Sequence, residues 1–72
     1  MTLVETSSLR VIKAGDTVTS RNGDAIVAEG VGHPPRHAGS SGRIWVVEKE
    51  WTGEYFPGVY GCEWYHDVRD QP

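Results

Sequence analysis

The chain has one cysteine, Cys62, which leaves no internal disulfide to form and points to a reducing compartment. No apolar run approaches the roughly 20 residues needed to cross a bilayer. Met1–Thr6 lacks the charged start and apolar stretch of a signal peptide, so a cytoplasmic location without membrane contact is expected. Basic residues are few: seven Lys and Arg stand against ten Asp and Glu, for a formal net charge of -3. The deficit is local. Residues 44–72 carry only Lys49 and Arg69 against Glu48, Glu50, Glu54, Glu63, Asp67 and Asp70. Non-specific nucleic-acid binding needs clustered cations to neutralise phosphates, and none cluster here. There is no internal repeat and no sustained helical period. Glycine-rich phosphate loops, paired-carboxylate motifs and serine triads are also missing, so an enzyme is not expected.

What is present is small, turn-rich and aromatic. Seventy-two residues make one domain near the lower limit for unaided folding. Nine Gly and four Pro favour an all-β chain, and three Trp, three Tyr and one Phe supply large apolar area per residue. Residues 1–8 read as a flexible lead-in, because Thr6-Ser7-Ser8 offers little to pack. Residues 9–69 form the domain and 70–72 a polar tail. Leu9–Lys13 suggests a first strand with Leu9 and Val11 on one face, and Ala14-Gly15-Asp16 a turn. Thr17–Ser20 follows as a strand with Val18 inward. Asn22-Gly23 predicts a type I′ hairpin turn joining Thr17–Arg21 to Asp24–Glu29, with Ala25, Val27 and Glu29 sharing one face and Ile26 and Ala28 the other.

Residues 30–42, with Pro34-Pro35, read as a long loop. Arg43–Trp51 is the expected central strand, with Ile44, Val46 and Glu48 pointing one way and Trp45, Val47, Lys49 and Trp51 the other, buried on both sides at Ile44–Val47. Thr52-Gly53 reads as a turn. Tyr55–Tyr60 reads as a strand interrupted by Pro57-Gly58, and Trp64–Arg69 as a closing strand with Trp64, His66 and Val68 on one face. A single helical turn would fit Glu48–Trp51 or Tyr65–Arg69.

Two stretches carry a resemblance. Gly15-Asp16-Thr17-Val18 is similar to the Gly-Asp-x-Val that leads into a strand in Src-homology-type small barrels of the KOW-like class. Gly39-Ser40-Ser41-Gly42-Arg43-Ile44 is similar to their Gly-x-x-Gly-x-Ile, which opens a hydrophobic strand. Over residues 10–68 the chain thus resembles an SH3-like, partly open barrel of about five antiparallel strands. In style it also resembles the small accessory proteins of bacteriophages. The resemblance implies binding without catalysis: a module that grips a partner protein, in the manner of a phage-type accessory or host-modulating protein. The alternative it implies is an RNA-binding barrel associated with transcription or translation machinery, and the acidic C-terminal half disfavours that. An exposed barrel edge beside an aromatic patch is also compatible with a homodimer.

Several constellations bear on chemistry. His33-x-x-x-His37 and Cys62-x-x-x-His66 are zinc-compatible residue types. Pro34-Pro35, however, breaks any helix that would align the two histidines, and i and i+4 on a strand lie about 13 Å apart. No metal or other cofactor is therefore expected. Cys62, His66 and Asp67 on one strand form no cleft for thiol catalysis. The aromatic residues are the best source of a binding surface. Trp45 and Trp64 are assigned to the core. Trp51, Tyr55, Phe56 and Tyr60 are assigned to a partner-binding patch, joined by Arg36 from a loop that Pro34-Pro35 stiffens. Glu48, Glu50 and Glu54 with Glu63 and Asp67 read as a solvated face that protects strand edges. For the nucleic-acid alternative the contacts are Lys13, Arg21, Arg36 and Arg43, with stacking on Trp51 or Tyr55.

Overall fold

Leu3-Val4 is a short apolar pair flanked by Thr2 and Glu5, and it forms the first strand, β1 (Thr2–Glu5). The computed structural model describes residues 1–66. The lead-in expected over 1–8 is instead half of a hairpin. The polar Thr6-Ser7-Ser8 is its loop, closed by the Leu9 amide donating to the Glu5 carbonyl at 2.7 Å. The returning strand β2 is only Arg10–Val11. Leu9 and Val11 are both exposed, while Ile12 between Val11 and Lys13 is buried.

The turn at Ala14–Gly15 is as expected, and β3 (Thr17–Ser20) buries Val18 fully. The hairpin to β4 (Gly23–His33) also forms, but its loop is Arg21-Asn22 rather than Asn22-Gly23. Neither loop residue has a positive φ, so the type I′ turn is replaced. Ser20 braces the alternative: its Oγ accepts from the Asn22 amide at 3.1 Å and donates to the Gly23 carbonyl at 3.2 Å. Val18 now pairs with Ala25 instead of Val27. That slip is an even number of residues, so the same side chains stay inward.

The proposed loop start at Gly30 is in fact strand, because β4 continues to His33 through a bulge. From Val27↔Val46 to Gly32↔Ile44, β4 advances far more than its partner β5 (Arg43–Val47). Gly30, Val31 and Gly32 take up the excess with φ of 87°, 66° and 150°. Two of the three are glycine because the left-handed region strains residues with a Cβ, and Val31 bears that strain while packing against the core.

Strand β5 is shorter than the Arg43–Trp51 expected, and it is buried on one side only. Ile44 and Val46 are sealed in, whereas Val47 is exposed. Glu48–Trp51 form the turn, and Thr52-Gly53, expected as a turn, opens β6 (Thr52–Tyr55). Pro57–Tyr60 is a single 3-10 turn rather than a strand, because Pro57 sits where its missing N–H is not needed. β7 (Cys62–Tyr65) closes the described chain against β1. Of the expected Trp64–Arg69 strand, His66 lies just past β7 and residues 67–69, with Val68, lie outside the described residues.

The protein is thus all-β, with two antiparallel sheets ordered β2-β1-β7 and β3-β4-β5-β6, neither of them closed. Both sheets feed one core of Leu3, Ile12, Val18, Val27, Ile44 and Val46, sealed by Tyr60 and Cys62. Side chains bridge the sheets where strands do not pair. Arg10 donates to the Thr17 carbonyl at 3.2 Å, and the Trp64 indole donates to the Arg43 carbonyl at 3.0 Å. Trp64 and Trp45, both assigned to the core, are only half-buried. Among the described residues no helix is long and apolar enough to cross a membrane.

Candidate functional site

Alternation along β5 turns Ile44 and Val46 inward and therefore Arg43, Trp45 and Val47 outward. Register then selects their neighbours. Trp45 lies opposite Glu54 and Val47 opposite Thr52 on β6, while Arg43 lies opposite His33 on β4. Directly opposed side chains on one sheet face are close enough to interact, and here they converge on one carboxylate. The Trp45 indole donates to Glu54 Oε2 at 2.9 Å. Arg43 Nε is 4.0 Å from Glu54 Oε1, and His33 Nε2 is 4.0 Å from Oε2. The His33 ring meets Trp45 edge to face at 6.4 Å between centroids. On its other side, the Arg43 guanidinium lies over the Phe56 ring at 4.3 Å from the centroid, a favourable cation–π geometry.

Local backbone makes this face possible. A Cβ at Gly30 would stand 2.9 Å from the Trp45 ring, so the bulge glycine lets the indole lie down on β4. The result is an open depression of about 400 Å³ lined by Glu29, Trp45, Thr52 and Glu54. The outer face thus presents a hydrogen-bonded indole, a cation stacked on a second ring, and the Glu54 carboxylate between them.

The five residues assigned to a partner surface are divided by the fold. Phe56 joins the outer face, 57% exposed. Trp51, 63% exposed, sits in the β5–β6 turn, at the opposite end of β6 from Phe56. Arg36 is exposed in the segment after β4. Tyr55 and Tyr60 are on the inner side, packed edge to face at 5.7 Å, and Tyr60 is buried. The patch drawn as Trp51–Tyr60 is therefore corrected for Tyr60: its ring packs into the core and is not part of the outer face. Trp45, Glu54 and His33 lie outside that patch, yet the fold brings the three together on the outer face. The signal for Trp45 and Glu54 was the β5–β6 register, which placing a turn at Thr52-Gly53 concealed.

The chain matches no protein-family model, no curated protein and no solved structure.

The other constellations are dispersed. His33 faces Glu54, whereas His37 is exposed with its Nδ1 3.0 Å from the Ala38 carbonyl oxygen. Cys62 is buried and its thiol donates to the Tyr60 carbonyl at 3.3 Å, while His66 is exposed. Among the described residues no group of three or more His, Cys, Asp or Glu side chains is placed to hold a metal ion; Asp67 lies outside them. Burial pushes the Cys62 thiol up to about 11, with the Glu5 carboxylate adding to the shift and Arg10 opposing it. A thiol raised in the fold favours the protonated native state. Its contribution to stability is complete below the ordinary value near 9 and is lost as pH rises through about 11. The thiolate is the reactive form, so native protein at pH 8 is expected to react with iodoacetamide at least roughly a hundredfold more slowly than the urea-unfolded chain. Equal rates in the two states would contradict the burial.

Proposed function

We propose that this chain is a non-catalytic, SH3-like binding module that seats a partner protein on the outer face of β4, β5 and β6. The observation that carries the reading is the exposed Phe56 ring held beneath the Arg43 guanidinium. Aromatic residues and arginine dominate interface hot spots. A ring already clamped by its neighbour loses little freedom on binding, and small ordering costs leave more of the contact energy as affinity. Trp45, fixed by Glu54, supplies a second anchor, and Val47 and Trp51 extend the apolar surface toward the β5–β6 turn.

Affinity capture with wild type beside Phe56→Ala and Trp51→Ala tests this. A partner protein retained by wild type is expected to bind Phe56→Ala at least about thirtyfold more weakly, the loss typical of a hot spot. Trp51→Ala, further from the clamp, is expected to lose less. Unchanged capture by Phe56→Ala would remove the outer face from consideration. If the partner is a second copy of the chain, light scattering shows a mass that rises with concentration. The KOW-like RNA reading also draws on Arg43, but Glu29 and Glu54 place two carboxylates on that face. RNA binding there would fall steeply between low and moderate salt.

A further inference from the structure

A second recess lies where residues of the β3–β4 loop, the β5–β6 turn and the 3-10 turn meet. It is a cleft of about 260 Å³ whose lining includes Val46, Val59 and Ala25, the polar Ser20 and Asn22, and the rings of Tyr55 and Tyr60. The two phenol rings stand nearly perpendicular, at 80°. The charges in the lining are of one sign: it contains Asp24 and Glu48 and no Lys, Arg or His.

Glu48 is set in place by the fold. It lies at the start of the β5–β6 turn, and its side chain folds back over β6 to accept a hydrogen bond from the Tyr55 hydroxyl. Gly53 makes the room: a Cβ there would come within 3.0 Å of the Glu48 carboxyl carbon and 2.7 Å of the Tyr55 ring. Asp24 is held by the Thr19 hydroxyl, which donates to its Oδ1 at 2.7 Å. The contrast with the outer face is informative. There Glu54 has Arg43 and His33 at 4.0 Å, whereas among the described residues neither Asp24 nor Glu48 has a basic group at ion-pair distance.

We propose that this cleft receives the cationic end of a lysine or arginine side chain of the partner protein. Resting on the protein-binding reading above, this adds the chemistry of what is bound. The carboxylates supply the counter-charge, and the half-buried Tyr55 ring supplies cation–π attraction in a partly desolvated site. The valine walls cover the methylene stem, as basic side chains favour. The Glu48 charge already acts on this space. Its hydrogen bond is the first cause holding the Tyr55 phenol above its ordinary value, and its field adds to the burial that raises Tyr60.

The test titrates isotope-labelled protein with n-butylammonium and n-butylguanidinium, with n-butanol as the neutral control, following amide shifts by NMR. Saturable shifts confined to Asn22–Asp24, Glu48, Tyr55 and Tyr60, given by the cations and not by butanol, are expected. Glu48→Gln is expected to weaken them at least tenfold, with Phe56→Ala leaving them intact. Amide dispersion reports whether Glu48→Gln folds, and Asp24→Asn gives the same readout if it does not. Equal shifts with butanol, or cation shifts spread over Glu50 and Glu63, overturn the proposal. A cleft that ignores the cations while Phe56→Ala still abolishes partner capture overturns this inference and leaves the outer-face reading standing. Cation binding in a protein whose capture ignores Phe56 has the reverse meaning.

Discussion

Gly42→Ala is expected to destabilise the protein by about 2–4 kcal/mol, close to everything a domain of this size holds in reserve. Gly42 has a φ of 74° and sits where three pieces of backbone and side chain converge. A Cβ would stand 2.6 Å from the His33 carbonyl oxygen, 2.8 Å from the Trp64 ring and 3.0 Å from the Pro34 carbonyl carbon. Backbone on two sides cannot swing away as the end of a long side chain can. The left-handed φ alone costs about 1 kcal/mol for a residue with a Cβ, and overpacking adds about 1–3 kcal/mol. Gly39→Ala separates the two effects. Gly39 has a φ of 86° but nothing within 4 Å of its would-be Cβ, so it should lose only the first part. Urea unfolding of both variants measures the difference, and equal losses would show that the approach of Gly42 to His33 and Trp64 is looser than described. The site feels the same change, because Arg43 donates from Nη1 to the Gly42 carbonyl at 2.7 Å and a shifted Gly42 carries that side chain off Phe56.

Gly42 also shows what the sequence makes legible. The Gly-x-x-Gly-x-Ile pattern over Gly39–Ile44 marks the start of a buried strand, and β5 begins at Arg43. The sidedness of Ile44 and Val46 follows from alternation, and so does that of Val18. These are local readings, settled by a two-residue period and a turn residue. Long-range pairing is less legible. Nothing in Thr52-Gly53 announces that this glycine is needed inside a strand to make room for Glu48, since a turn glycine and a close-approach glycine are the same letter. The error moved Glu54 out of register with Trp45 and hid the centre of the outer face. Tyr60 was misplaced for a related reason. Pro57-Gly58 correctly signals a break in the strand, but whether the following aromatic swings inward depends on the 3-10 turn that the break initiates. The bulge at Gly30–Gly32 carries two glycines, yet beside Pro34-Pro35 they read as loop.

Leu3→Ala is expected to leave the chain largely unfolded at 25 °C. Leu3 is 1% exposed and belongs to the same core as Ile44 and Val46. It pairs with Trp64 across the centre of the β2-β1-β7 sheet, and its carbonyl accepts from the Ile12 amide at 2.8 Å. Truncating a buried leucine costs about 2–5 kcal/mol, against a total of about 3–5 kcal/mol for a domain this small. Leu9→Ala is the matched control, because Leu9 is 65% exposed in the loop of the same hairpin and its truncation should change stability by less than about 0.5 kcal/mol. Circular dichroism with urea titration of the two variants decides between opposite views of residues 1–8. If the segment is a frayed lead-in, the two alanines are equivalent. If β1 is the middle strand of its sheet, Leu3→Ala also strips the pairing that holds β7. Trp64 then loses the Arg43 carbonyl to which it donates, and the outer face loosens although no residue on it has been touched. Partner capture by Leu3→Ala should therefore fall with the folded fraction, while Leu9→Ala retains it.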